Sequence, residues 1–208
     1  LKNISAIPNL KSSAMEVRNP RTGQYDYRIE VPSRQILEDL TQRMRFAQQA
    51  WALLPVSQRI ETLEVWKANI ESHKEALIDA LTADTGRYAE SALEYALLPS
   101  GIQRWQKWAA DWFAQAREKM SAMPFIRIRQ QHVPIPLVVV ISPWNFPLLL
   151  SVIDAIPALL AGSAVIVKPS EVTPRFIEVM QKTISATPML RDVFRYIPGA
   201  AETGANLI

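Results

Sequence analysis

Residues Leu137 to Glu171 read LVVVISPWNFPLLLSVIDAIPALLAGSAVIVKPSE, and the rest of the chain is read outward from them. Two runs rich in β-branched residues, Leu137 to Ser142 and Ala164 to Lys168, have strand length, and Leu148 to Leu160 between them has helix length. The first run ends in Pro143-Trp144-Asn145-Phe146-Pro147 and the second in Lys168-Pro169-Ser170-Glu171. A helix starting at Pro174, with Thr173 as its N-cap, and a strand over about Val193 to Ile197 before Gly199 extend the pattern to βαβαβ. Right-handed crossovers make such strands parallel. Open parallel sheets bind ligands just beyond the carboxyl ends of their strands, so Asn145, Lys168 with Glu171, and Gly199 are expected to converge on one ligand.

Asp154 is the only charged residue from Pro134 to Val167, which raises the question of a membrane span. A spanning helix needs ~20 uninterrupted apolar residues. This stretch is broken by Pro136, Pro143, Asn145, Pro147, Pro157 and Gly162, and buried parallel strands read as apolar runs anyway, so no membrane is expected.

Toward the N-terminus, Val17 to Val31 reads as a hairpin turning at Asn19-Pro20-Arg21-Thr22-Gly23, with Tyr25, Tyr27, Ile29 and Val31 on one face. Ser33 caps a helix with an apolar stripe at Ile36, Leu40, Met44, Ala47, Trp51 and Leu54. A second helix is expected from Ser57 to Gly86, with His73 inside it as a structural residue. A third, Tyr88 to Gln115, should kink or restart at Pro99 and Gly101. Beyond that point Trp105, Trp108 and Trp112 form a stripe expected in the core or at a subunit interface. Phe125 to Gln131 alternates like a charged ribbon, either sitting at a sheet edge where its positive side chains discourage indiscriminate pairing or pairing with another subunit, and His132 is read as structural.

The chain has 208 residues, 49% of them hydrophobic, enough for a sizeable core. The net charge of +3 comes from scattered side chains without a basic run, so nucleic acid is not an expected partner. There is no cysteine, which excludes disulfides, thiolate metal sites and a cysteine nucleophile within these residues, and no metal site is expected. The N-terminus shows no signal peptide, leaving a cytoplasmic expectation, and both ends read as cut.

Two chemical readings attach to the strand ends. An ammonium and a carboxylate at Lys168 and Glu171 can share the hydroxyls of a ribose, although the G-x-G-x-x-G turn is missing and phosphates would have to be held elsewhere. Asn145, held between prolines, can aim its amide N–H at an oxygen that becomes negative during attack on a carbonyl. It can equally be an asparagine closing an Asx-turn. Spacing alone leaves both open.

PWNFP, then a helix containing Pro157-Ala158-Leu159-Leu160-Ala161-Gly162, then Lys168-Pro169-Ser170-Glu171, resembles the NAD(P)-dependent aldehyde dehydrogenase family. Asn19-Pro20 to Gly23, Asp84-Thr85-Gly86 and Pro198-Gly199 to Gly204 extend the resemblance over nearly the whole chain. It implies an α/β fold: a Rossmann-like parallel βαβαβ cofactor-binding core over residues 137–208, an N-terminal hairpin and helices over 1–121, and an oligomerisation β-ribbon over 122–136. It implies that Asn145 stabilises the oxyanion formed when a cysteine attacks an aldehyde. Lys168, Ser170 and Glu171 would hold the cofactor's adenosine ribose side, and Ile141, Ser142 and Trp144 would contact it mainly through backbone. Gly199 and Thr203 would lie near its adenine end, and Phe146 and Leu150 would line the aldehyde tunnel. Pro136, Val139 and Ala201 depart from glycines common in the family.

The nucleophilic cysteine, the general-base glutamate and the pyrophosphate-binding turn that the resemblance implies would follow Ile208. The expected parent is thus an NAD(P)-dependent enzyme oxidising a small-molecule aldehyde as a homo-oligomer, with Glu171 leaning the cofactor toward NAD over NADP, and the 208 residues alone inactive. The alternative is a short, catalytically inactive nucleotide-binding or partner-binding protein.

Overall fold

The computed structural model of the chain describes residues 12–114, 118–123, 125–129 and 132–208. Alternation in Tyr25–Val31 (β2) pairs it antiparallel with Ser13–Arg18 (β1), in register from Ser13↔Val31 to Arg18↔Tyr25. The turn is tied by the Arg21 backbone N–H donating to Asn19 Oδ1 at 2.9 Å. The hairpin leads into Arg34–Leu53 (α1), where Ser33 Oγ accepts from the Ile36 N–H at 3.5 Å. The most buried positions of α1 are Leu37, Met44, Gln48 and Trp51.

The expected second helix is two, Val56–Glu71 (α2) and Lys74–Thr85 (α3), broken at Ser72 and His73. Both break residues compete for the backbone. Ser72 Oγ donates to Asn69 O at 2.8 Å and the His73 ring lies 2.8 Å from the same carbonyl, so that helical acceptor is occupied locally. His73 is therefore structural, though at a helix boundary and not in an interior.

Tyr88–Ala114 (α4) runs through Pro99 and Gly101 without the expected restart. Proline removes one donor from the ladder, but Leu98 and Ile102 on either side are fully buried, and packing of the long helix overrides the local cost. The helix is described to Ala114, and Gln115 lies outside the described residues.

Glu118–Met120 (β3) and Arg127–Arg129 (β4) form a separate antiparallel ribbon, with Arg127 and Arg129 exposed. Gln130 and Gln131 of the expected ribbon lie outside the described residues.

Leu137–Ile141 (β5), Ala164–Lys168 (β6) and Phe194–Tyr196 (β7) make one parallel sheet in the order β5-β6-β7. Every residue of β6 is buried, as a strand covered on both faces must be. The helix expected over Leu148 to Leu160 is again two, Pro147–Val152 (α5) and Ala155–Ala161 (α6). Pro157 has no N–H to give the Ile153 carbonyl, which ends the first segment nearby. The helix expected from Pro174 starts two residues later, as Phe176–Ser185 (α7), and Thr173 makes no side-chain hydrogen bond. Its N-terminus is served from elsewhere: Asp84 Oδ2 accepts from the Arg175 backbone N–H at 2.7 Å. Ala201–Ala205 (α8) follows β7.

The helical layer is bolted to the sheet layer by polar side chains that satisfy one helix end. Gln48 Nε2 donates to Gly162 O at 2.8 Å, Trp51 Nε1 to Leu159 O at 3.0 Å and Arg59 Nε to Leu160 O at 2.8 Å. They lie at the C-terminal end of α6, where a helix runs short of its own donors and, among the described residues, Leu159 O otherwise has only the Gly162 N–H at 3.0 Å, so α1 and α2 help cap α6. A second bolt joins hairpin, α3 and α7: Arg175 pairs with Asp84 at 2.7 Å and with Asp26, and its guanidinium lies 4.8 Å from the Tyr27 ring centre. Burial pushes the Asp84 carboxyl up to about 6, against the hydrogen bonds and charge of Arg175. Among the described residues, no helix is long and apolar enough to cross a membrane.

Candidate functional site

Parallel register places the polar strand ends side by side. Ile141 at the end of β5 pairs with Lys168 at the end of β6, and the Ser142 N–H continues the ladder by donating to Lys168 O at 3.1 Å. On the far side the Ile197 N–H donates to Val167 O at 2.8 Å, carrying β7 toward Pro198 and Gly199. The carboxyl edge of the sheet is therefore a shelf, with Ser142, Trp144 and Asn145 beyond one strand, Lys168 to Glu171 beyond the next and Gly199 beyond the third.

Lys168 is buried along its length and its Nζ meets Glu171 Oε2 at 3.2 Å, with Glu171 44% exposed. Burial is the largest single influence on the Glu171 carboxyl and raises it. Its own backbone N–H and the Lys168 ammonium outweigh that and hold it below the usual value. Glu171 thus presents an ionised, solvent-facing carboxylate anchored by a buried cation. Ser170 Oγ accepts from the Val172 N–H at 3.2 Å and shapes the turn that carries Glu171.

Ser142 is 4% exposed, and its Oγ has no hydrogen-bond partner among the described residues. Buried hydroxyls without partners are uncommon, and this one lies next to Lys168 at the sheet edge. Gly199 has φ +149°, and a Cβ there would stand 2.0 Å from Thr203 Oγ1, so no side chain fits between this turn and α8. Helix α8 in turn approaches β5: a Cβ at Gly204 would be 3.7 Å from Ile141 Cδ1. Ile141, Gly199 and Thr203 are therefore brought together at one corner of the shelf.

The Asx-turn reading of Asn145 fails on simple chemistry. Its acceptor would need the N–H two residues on, and that residue is Pro147. Asn145 is exposed, and among the described residues its carboxamide has no hydrogen-bond partner, whereas its backbone carbonyl accepts from Arg87 Nη2 at 2.7 Å. The backbone is pinned and the amide is free.

Two residues that sequence reading passed over hold this loop. Arg87 also lies 5.9 Å from the Phe146 ring centre. Glu94, 3% exposed on α4, accepts from the Leu149 N–H at 2.7 Å and lies near the Leu148 N–H, supplying the cap that α5 lacks from its own sequence. Burial raises the Glu94 carboxyl, opposed by those two N–H groups and the nearby charge of Arg87. A signal existed: Ser91, Glu94, Leu98 and Ile102 share one helical face, so a carboxylate stands in a buried stripe. Tyr196, raised by burial, shares a 2.8 Å hydrogen bond with Ser151 and ties β7 to α5 from within.

Two cavities border α4. One of about 230 Å³ is lined by Leu97, Arg104, Trp105, Leu149, Ile153 and Ile156 among others. Leu149 reaches it, whereas Phe146 and Leu150 are half-buried outside its lining. The other, about 450 Å³, is an aromatic groove between α4 and α6, with Trp105 half-buried and Trp108 and Trp112 more than half exposed.

Against known proteins, residues 8–208 match the profile of the aldehyde dehydrogenase family. A curated relative from Mycolicibacterium smegmatis, provisionally named succinate-semialdehyde dehydrogenase [NADP(+)], is 29% identical over 96% of this chain and 39% of its own length. Among solved structures, PutA of Anabaena variabilis, provisionally named an aldehyde dehydrogenase, is 49% identical with a TM-score of 0.90, covering 94% of this chain and 42% of that one. Lactaldehyde dehydrogenase from Escherichia coli is 25% identical with a TM-score of 0.87, covering 94% of this chain and 41% of that one. The chain thus spans about two fifths of the length of the relatives it matches.

Proposed function

The chain belongs to the aldehyde dehydrogenase family, and from that premise we propose that it forms the cofactor-binding part, over residues 137–208, of an enzyme that oxidises an aldehyde to its carboxylic acid with NAD. The observation that carries this reading is the free Asn145 carboxamide fixed on the same strand-end shelf as the Lys168–Glu171 pair.

The shelf fits a dinucleotide. Glu171 accepts from ribose hydroxyls while Lys168 donates, Ser142 brings a buried hydroxyl without a protein partner, and the turn at Gly199 brings backbone close where no Cβ would fit. When bound, the nicotinamide supplies the acceptor for hydride. An ionised Glu171 repels the 2′-phosphate that distinguishes NADP, which favours NAD here even though the Mycolicibacterium smegmatis relative carries NADP(+) in its name.

Asn145 donates from its amide to the aldehyde oxygen as that oxygen gains charge. Proline on one side and the Arg87 contact on the other fix the donor before reaction, so little reorganisation is needed. With no cysteine among the 208 residues, the attacking thiolate must come from chain outside them. The chain by itself is then inactive in aldehyde oxidation while retaining the ribose site. Phe146, Leu149 and Leu150 supply apolar wall to the substrate side, and the exposed ribbon β3–β4 is the surface through which the enzyme oligomerises.

The test is steady-state NADH formation by the protein at the length of its relatives and by the isolated 208 residues. Activity in the longer protein only is expected. Turnover by the isolated chain would overturn the division of labour. A longer protein that binds NAD but oxidises no aldehyde would favour a nucleotide-binding protein without catalysis.

A further inference from the structure

We propose that Glu94 and Arg87 are positioning residues for the reaction, a clamp from the start of α4 that fixes where the Asn145 amide points. The inference rests on the reading of Asn145 as the oxyanion donor.

The clamp grips the chain at two points, at the Asn145 backbone and at the start of α5. At Asn145 itself, Arg87 Nη2 donates to the backbone carbonyl at 2.7 Å, fixing the peptide plane that follows the residue. The same guanidinium lies 5.9 Å from the Phe146 ring centre, so the next side chain is held by the same group. Downstream, the buried Glu94 carboxylate takes the Leu149 N–H in the first turn of α5, with the Leu148 N–H beside it. Helix α5 has no side-chain cap of its own: Phe146 occupies the cap position and Pro147 follows it. Without Glu94 the half-buried Leu149 N–H loses its acceptor, and the entry angle of the chain into α5 is released.

Burying a carboxylate in an apolar stripe costs stability, since burial raises its pKa and Leu98 and Ile102 surround it on its own face. A local cap from Ser or Asn at position 146 would satisfy α5 more cheaply. What the tertiary cap adds is rigidity referenced to α4, the longest helix of the chain. An oxyanion donor has to be placed within a fraction of an ångström, and small misplacements cost up to about 100-fold in rate.

The experiment is a double-mutant cycle in the dehydrogenase at the length of its relatives, comparing N145A, E94A, E94Q, R87M and E94A/N145A by kcat and by KM for NAD. The inference expects E94A to lower kcat about 10- to 100-fold with KM for NAD within about 2-fold, because the Lys168–Glu171 pair sits at the end of a different strand, β6. E94Q, which keeps one acceptor oxygen, should recover most of that loss, and R87M should lower kcat several-fold. The double variant should be no slower than N145A within about 3-fold, because a clamp on a missing amide has nothing left to position. Losses that multiply in the double variant would overturn the clamp and leave the Asn145 reading standing. Unchanged kcat in N145A would overturn the Asn145 reading itself. If E94A does not fold, the cycle runs on R87M, and a loss in R87M/N145A that multiplies overturns the clamp equally.

Discussion

Replacing Gly199 by alanine puts a methyl group where Thr203 already is. The Cβ would stand 2.0 Å from Thr203 Oγ1, 2.5 Å from its Cβ and 2.8 Å from its Cγ2. All three atoms belong to one buried side chain on α8, so relief requires the turn or the helix to move. Two costs separate cleanly. Overlap in a packed site is worth about 1–3 kcal/mol. The φ of +149° is a further strain of about 1–3 kcal/mol for any residue with a Cβ. G199A should therefore lower the unfolding free energy by about 2–6 kcal/mol, read from the urea midpoint of the chain at constant m-value. T203G removes every clashing atom. In G199A/T203G the overlap share should return as a favourable coupling of about 1–3 kcal/mol, while the backbone strain stays. NAD affinity should fall in G199A, since the displaced turn borders the cofactor shelf. Strict additivity of the two substitutions, or a G199A midpoint equal to that of the parent, would refute the packing argument.

Three further outcomes follow from the charged groups. R175M strands the buried Asp84 carboxylate and unpins the hairpin from α7, and should cost about 3–5 kcal/mol by denaturant unfolding, with a loss under about 1 kcal/mol refuting the bolt. Asp84 titrates at about 6 in the folded chain against 3.8 ordinarily, so its favourable share is complete below 3.8 and is lost as pH rises through about 6. That amounts to at most about 3 kcal/mol, and a pH series on D84N should lack the slope that the parent shows over this window. E171Q removes the carboxylate beside the ribose and should raise kcat/KM for NADP relative to NAD by about 10-fold or more, whereas an unchanged ratio would show that Glu171 does not read the 2′ position.

The parallel sheet was legible because β6 is apolar from Ala164 to Val167 and its carboxyl end is marked by charge and proline at Lys168-Pro169, signals that survive without tertiary knowledge. The strand-end residues followed from topology, since Ile141 pairs with Lys168 once the strands are parallel. Helix breaks were harder to place. Ser72 and His73 break the helix by side-chain bonds to Asn69, while Pro99 does not break α4 because buried neighbours hold it. Both outcomes depend on contacts that local propensity does not contain. Thr173 looked like a cap by composition, yet Asp84, distant in sequence, serves α7 instead. Glu94 was hidden in the same way: its role as a cap for α5 appears only when two segments far apart in sequence meet. Caps supplied across the fold leave no local pattern apart from a charge in an apolar stripe.

The most direct test of the account is kcat for aldehyde oxidation by N145A in the protein at the length of its relatives, with NAD affinity measured alongside. Loss of one oxyanion donor predicts a fall of about 100- to 1000-fold in kcat with NAD affinity unchanged. An N145A enzyme that turns over at the parental rate would contradict the assignment of this loop to catalysis.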